Sequence, residues 1–211
     1  MTRRLVVVVA ALLAATACGG SSNGQPGSGS GQTPLALHGA IPDQKSPRPS
    51  FTLVDTAGQP YDFAARTRGK VTFLYFGYTH CPDECPTSMA DVAAALRRVG
   101  PSIAQQVSVV FVTTDPWRDK RPVLRHWLDR FSPTFTGLTG TPVQIAGAET
   151  EMNMPISRRV PAKKSYGAGR YSVDHFAAVM VYGSDDRLAT LYPSGVTPGD
   201  IAADIPLLVK G

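Results

Sequence analysis

The chain has 211 residues, with 21 basic and 16 acidic side chains and a formal net charge of +5. Arg3 and Arg4 fall in a leader, and without them the basic count drops from 21 to 19 against 16 acids, a balance of +3. So small an excess excludes nucleic-acid binding as the organising function.

The leader comes first. Met1, Thr2, Arg3 and Arg4 precede an uncharged run from Leu5 to Ala17 in which Thr16 is the only polar side chain. A membrane-spanning helix needs about 20 apolar residues. A basic start, a shorter apolar run and small residues before a cleavage point describe a signal peptide over residues 1–17. Ala15, Thr16 and Ala17 followed by Cys18 look like a bacterial lipobox, with Ala15 where Leu is commoner. The expectation is an exported lipoprotein, acylated at Cys18 and anchored to the outer face of the cell membrane. The alternative is an ordinary signal peptide with a chance cysteine.

Gly19 to Pro34 contains only Gly, Ser, Asn, Gln, Thr and Pro, which bury too little surface to fold. A coil of that length has an end-to-end distance of roughly 20–25 Å. Residues 18–44 are therefore read as the lipidated cysteine and a flexible tether, and residues 45–211 as one domain.

Within that domain, Phe51 to Val54 and Tyr61 to Phe63 flank a polar turn and predict an N-terminal hairpin. Val71 to Phe76 is a continuous apolar run, the mark of a buried central strand. Met89, Val92, Ala93, Leu96 and Val99 recur at helical spacing, with Arg97 and Arg98 in the last turn and Gly100-Pro101 as the stop. Val107 to Val112 repeats the buried-strand signature. Val123, Leu124, Trp127, Leu128 and Phe131 outline a second amphipathic helix. This alternation implies an α/β fold, a sheet with parallel strands covered by helices.

Thr141-Pro142 then opens a helix toward Met152. Arg158, Arg159, Lys163, Lys164 and Arg170 follow in a Gly-, Pro- and Ser-containing stretch without helical period. It is read as a solvated loop, or as a docking surface for an acidic partner. Phe176 to Tyr182 and Leu188 to Tyr192 bracket Gly183-Ser184-Asp185-Asp186 as a second hairpin. Thr197 to Asp200 starts a last helix through Ile201, Ile205 and Leu208, which Pro206 should kink or end early.

The chemistry lies between the first buried strand and the first long helix, in Gly77-Tyr78-Thr79-His80-Cys81-Pro82-Asp83-Glu84-Cys85-Pro86. With Cys18 assigned to lipid, Cys81 and Cys85 remain as a lone pair. In an oxidising compartment such a pair forms a disulfide, holds a metal, or alternates between the two. They sit beyond the carboxyl end of a central strand, where open α/β sheets bind ligands. The following helix N-terminus favours the thiolate. Residues four apart on a helix have Cβ atoms about 5–6 Å apart, whereas a disulfide prefers about 3.5–4.5 Å. The spacing therefore suits a shared soft ion at least as well as a disulfide.

Two thiolates call for a third donor. His38, at the end of the tether, and His126, on a helix, read as ordinary surface residues. His80 precedes Cys81 directly, and its side chain should point away from a shared ion. His175 follows Val173-Asp174 and precedes the strand starting at Phe176. It is placed to hang over the same end of the sheet, although position alone also fits a structural histidine.

These residues resemble the Sco/SenC family of copper proteins that assist cytochrome c oxidase assembly. The likeness covers roughly residues 45–210 and rests on three motifs in order: Gly77 to Pro86, then Asp115, Pro116, Arg118 and Asp119, then Val173 to His175. It implies a thioredoxin-like fold and one copper held by Cys81, Cys85 and His175. Soft thiolates favour Cu(I), an imidazole also admits Cu(II), and zinc would want a fourth ligand. Asp115 and Asp174 become candidates for orienting the imidazole or raising its basicity, or else plain turn and cap aspartates. The implied partner is cytochrome c oxidase subunit II or another copper acceptor.

Rival readings on the same fold are a thiol–disulfide oxidoreductase that reduces a partner's cysteines, a thiol peroxidase, and a sensor of copper or redox state. Thioredoxins place two residues between their cysteines, where this chain has three. They carry a Pro opposite the thiols, where this chain has Asp174-His175. Peroxiredoxins place Thr three residues before the reactive Cys, whereas Thr79 stands two before Cys81.

Overall fold

A computed structural model describes residues 37–161 and 171–210. The signal peptide, Cys18 and most of the tether lie outside the described residues, as do Lys163, Lys164 and Arg170. No helix among the described residues is long and apolar enough to cross a membrane.

The elements run β1 (Thr52–Asp55), β2 (Pro60–Asp62), α1 (Phe63–Thr67), β3 (Val71–Gly77), α2 (Glu84–Val99), α3 (Pro101–Ala104) and β4 (Val107–Thr113). They continue through α4 (Arg121–Asp129), β5 (Thr136–Thr139), α5 (Pro142–Glu151), β6 (Arg158–Pro161), β7 (Tyr171–Asp174), β8 (Val179–Tyr182), β9 (Leu188–Tyr192) and α6 (Pro198–Lys210). One sheet has the order β2-β1-β5-β4-β3-β8-β9, and β6 and β7 form a separate pair. β3, β4 and β5 are parallel neighbours, while β1 and β8 join antiparallel. The sheet is thus mixed, and it carries the parallel strands and the N-terminal hairpin that the sequence implied.

β3 is buried along its whole length because helices cover both faces of the sheet. Phe73, Tyr75, Val109 and Phe111 face a core completed by α2, α4 and α6. Leu74, Phe76, Val110 and Val112 face the opposite core with Phe63, Ile145 and Ala148. The period-2 alternation of strand side chains divides one apolar run between two cores. The crossover from β3 to β4 leaves both strand ends open at the same rim of the sheet.

Several details depart from the sequence reading. β5 and α1 were not anticipated. β5 is four residues, Thr-Gly-Leu-Thr, whose Gly137 lies against Leu128 and Leu124 where a larger residue would clash. Helix α6 runs four residues past Pro206 to Lys210. Losing an interior helix hydrogen bond costs about 3 kcal/mol, and burial of Ile205 and Leu208 offsets it. Val123 is 42% exposed rather than on the buried face of α4. β8 begins at Val179, opposite Tyr192, not at Phe176. Arg158 and Arg159 lie in a strand paired with Asp174 and Val173, not in a loop.

The tether also ends earlier than the composition suggested. Ala40 exchanges both backbone hydrogen bonds with Leu191 at 2.8 and 2.9 Å. His38 Nδ1 lies 2.6 Å from Asp204, and the Arg48 guanidinium donates to Asp186, Thr67 and two carbonyls. Residues 37–48 are thus part of the domain, and His38 is partnered rather than a free surface residue.

Candidate metal centre

The loop after β3 carries both cysteines. Cys81 lies ahead of α2, and Cys85 is in its first turn, because the helix starts at Glu84. The N-cap Asp83 makes no side-chain cap. Instead the Cys85 N–H donates to Cys81 Sγ at 3.4 Å, so sulfur takes the acceptor position that an oxygen usually fills.

His175 arrives from the separate sheet. It is the residue after β7, and three residues separate it from β8. The Cys85 sulfur lies 3.5 Å from His175 Nε2. One donor atom each from Cys81, Cys85 and His175 lies within 4.8 Å of the others, the sole such cluster of three among the described residues. His175 Nδ1 is 3.2 Å from the Phe176 carbonyl. A carbonyl only accepts, so Nδ1 carries the hydrogen and the Nε2 lone pair faces the sulfurs. The rings of Tyr75 and Tyr78 stand edge-on to the imidazole, with centroids at 6.0 and 5.6 Å.

The electrostatics separate the two thiols. The Cys85 thiol lowers the Cys81 pKa to about 4, and His175 and the Cys85 and Asp83 N–H groups add to this against the opposing effect of burial. Cys85 is fully buried, and burial followed by the neighbouring Cys81 raises its pKa well above the ordinary value. For His175 burial opposes the charged ring, but the Cys81 sulfur and the Phe176 carbonyl outweigh it and the pKa is raised. Both cysteines are free thiols. Two sulfurs and an imidazole nitrogen facing one point make a donor set for a soft or borderline ion.

Neither carboxylate singled out in the sequence touches the imidazole. Asp174 points outward, 3.7 Å from Arg158. Asp115 is buried and bonds Arg118 and the Tyr171 hydroxyl, the latter at 2.9 Å. It thereby holds the start of β7, the strand that His175 follows. The Phe176 carbonyl does what was expected of an aspartate, because the chain turns back immediately after His175. His80, as expected, turns away from the sulfurs, with Nδ1 3.0 Å from the Thr79 hydroxyl. His126 is exposed.

Asp119 is the residue that spacing did not single out. Fully buried, it accepts from the Thr79 N–H at 2.8 Å, the Thr79 hydroxyl at 2.6 Å and the Thr113 hydroxyl at 2.7 Å. It thereby ties the cysteine loop to the end of β4. The Thr114 N–H donates to the Gly77 carbonyl at 2.7 Å and closes the same seam. A cleft of about 420 Å³ opens beside the donors, between Cys81, Pro82 and Glu84 on one side and Val160, Pro161 and Ser172 on the other.

Comparison with known proteins agrees with this arrangement. A putative copper-binding protein of Stutzerimonas stutzeri is 31% identical over 140 residues, covering 66% of this chain and 66% of that protein. The chain spans about two thirds or less of the curated relatives it matches first. The copper-bound structure of Bradyrhizobium japonicum ScoI is 33% identical with a TM-score of 0.67, covering 77% of this chain and 99% of that one. A thioredoxin family protein of Chlorobium tepidum, 15% identical with a TM-score of 0.54 over 80% of this chain and 99% of its own, shares the thioredoxin-like fold. The SCO1/SenC family model matches residues 40–210, which include both cysteines, Asp119 and His175, and the chain therefore belongs to the SCO1/SenC family.

Proposed function

We propose that the protein is a copper metallochaperone that binds one Cu(I) or Cu(II) through Cys81, Cys85 and His175 and assists copper-site assembly in cytochrome c oxidase. In this reading it acts outside the cell membrane, held there by lipid on Cys18. The observation that carries the reading is the convergence of the three donor atoms within 4.8 Å, with the imidazole lone pair already turned inward by the Phe176 carbonyl. The copper-bound relative supports the choice of metal. Thiolates suit Cu(I), and the imidazole extends the site to Cu(II).

Anaerobic titration of the reduced soluble domain should load one copper per chain. Oxidation to a Cys81–Cys85 disulfide should abolish loading, since it consumes both sulfur donors. Equal loading of the two forms would overturn the assignment. His175→Ala should keep the fold and lose Cu(II) more than Cu(I), whereas loss in His80→Ala instead would make His80 the ligand.

The contrast between an accessible, acidic Cys81 and a buried Cys85 also supports a second reading, reduction of a partner's disulfide. The Cys81 thiolate would attack one partner sulfur and release the other as a thiolate. Cys85, giving up its proton, would then attack Cys81, leaving a Cys81–Cys85 disulfide and a reduced partner. Copper transfer and thiol reduction, each measured on a purified acceptor, separate the readings.

A further inference from the structure

Among the described residues, three of the five large apolar side chains exposed to solvent surround one cavity: Val143 at 82%, Ile156 at 56% and Trp117 at 44%. The cavity holds about 270 Å³ and is floored by Thr114 and Ile145. Thr114 bonds Gly77, the residue packed against the Cys85 sulfur, so the cavity opens at the same rim of the sheet as the metal donors. Single exposed apolar residues are ordinary, but a cluster around a concavity marks an interaction site.

The cluster has a charge beside it. The Arg159 guanidinium stacks on the Trp117 ring at 3.8 Å and approaches Tyr171 at 5.4 Å. Among the described residues no carboxylate pairs with it, whereas its neighbour Arg158 faces Asp174. The chain from Ser157 to Ser172 contains no Asp or Glu. A guanidinium held flat on an aromatic ring keeps its N–H edge open to a carboxylate from outside.

Strand β6 links this cavity to the metal cleft. Ser157 lines the apolar cavity, and Val160 and Pro161 line the cleft beside Cys81 and His175. At about 3.3 Å per extended residue the two lie roughly 13 Å apart. Among the described residues β6 pairs only with β7, and no described strand occupies its other edge, which suits addition of an extended chain.

We propose that this surface docks the copper acceptor through an extended segment lying along β6. The segment sets an apolar or aromatic side chain into the Trp117–Val143–Ile156 cavity and a carboxylate on Arg159, with its metal-accepting side chain about four residues away in the cleft. The proposal rests on the metallochaperone reading for the identity of the partner, and the docking geometry stands on the surface itself.

The test measures binding of the copper-loaded protein to the purified soluble domain of the same organism's cytochrome c oxidase subunit II. Wild type is compared with Val143→Asp, Ile156→Ser and Arg159→Glu. All three positions are solvent-facing, and an aspartate in the first turn of α5 suits the helix N-terminus, so the fold and copper stoichiometry should be unchanged. The double variant Val143→Asp/Arg159→Glu should bind at least about tenfold more weakly, and wild-type binding should weaken as salt rises. Variant affinities within twofold of wild type would overturn the proposal. So would a wild type that ignores the acceptor while using this face to self-associate or to bind vesicles of anionic phospholipid. Binding that depends on this face without copper transfer would sustain the docking surface and sink the metallochaperone reading instead.

Discussion

A Cβ placed on Gly77 would come within 2.8 Å of the Cys85 sulfur and 2.7 Å of the Tyr75 ring. The last residue of β3 is therefore glycine for space, so that a fully buried thiol can occupy the gap where the strand meets the cysteine loop. Gly77→Ala should destabilise the domain by about 1–3 kcal/mol, the usual cost of overpacking, and displace one of the two sulfurs. Urea denaturation and copper titration read the two effects. A variant with unchanged midpoint and full copper loading would show that the loop absorbs the extra carbon.

Asp119 gathers three donors from the cysteine loop and β4 without touching the donor atoms. Asp119→Asn replaces one acceptor oxygen by an amide N–H₂, so at least one buried donor loses its partner, at a cost of about 1–3 kcal/mol. Stability should fall, and copper should leave faster to a competing chelator because Thr79 is no longer held. Faster exchange of the Thr79 amide would locate the loosening. An unchanged release rate would confine Asp119 to folding.

The thiols should react unequally. With a pKa near 4, Cys81 should be alkylated by iodoacetamide at a nearly level rate from about pH 8 to about pH 5, falling only as the pH approaches about 4. Buried Cys85 should be spared in the native protein. An ordinary thiol slows about tenfold for each pH unit below its pKa, and such a slope for Cys81 would contradict the assignment.

His38 gives the N-terminal segment a pH dependence. Its pKa is raised by the hydrogen bond to Asp204 and by that residue's charge, with Asp200 also facing the ring, against a small opposing effect of burial. Tyr192 donates to the same Asp204 carboxylate at 2.8 Å. A raised histidine contributes stability that is fully present below the unfolded value of 6.5 and is lost as pH rises through the folded value. Protection of the Ala40 amide against exchange, corrected for intrinsic rate, should therefore drop as pH rises above 6.5. The drop should vanish in His38→Gln. A wild-type protection that is level across this range would refute the role.

Legibility in the sequence followed the range of the interactions. β3, β4 and α2 were readable because apolar runs and helical spacing report burial directly. The two cysteines were readable because both sit in one local turn. β5 was not, since four residues centred on Gly137 and Leu138 become a strand only by pairing with β1 and β4. The groups that hold His175 were equally hidden. Two aspartates were the natural candidates, but a backbone carbonyl fixes the ring, and backbone groups carry no signature in a sequence. The early end allowed for at Pro206 does not occur, because local helix rules do not count the side chains that α6 buries against α2.

The donor set draws on two separate sheets and on residues 90 apart in the chain. Cys81 and Cys85 are near each other in any conformation, even in a nascent chain, whereas His175 joins them only in the folded domain. A soft ion met early would thus be held by two sulfurs alone, and completion of the folded domain would convert that loose complex into a three-point one. Once complete, the ion acts as a clip across a long loop, and closing a long loop removes more freedom from the unfolded chain than closing a short one. The ion would thereby add one more tie between the small sheet and the large one, beside the Tyr171–Asp115 hydrogen bond and the Arg159–Trp117 stack.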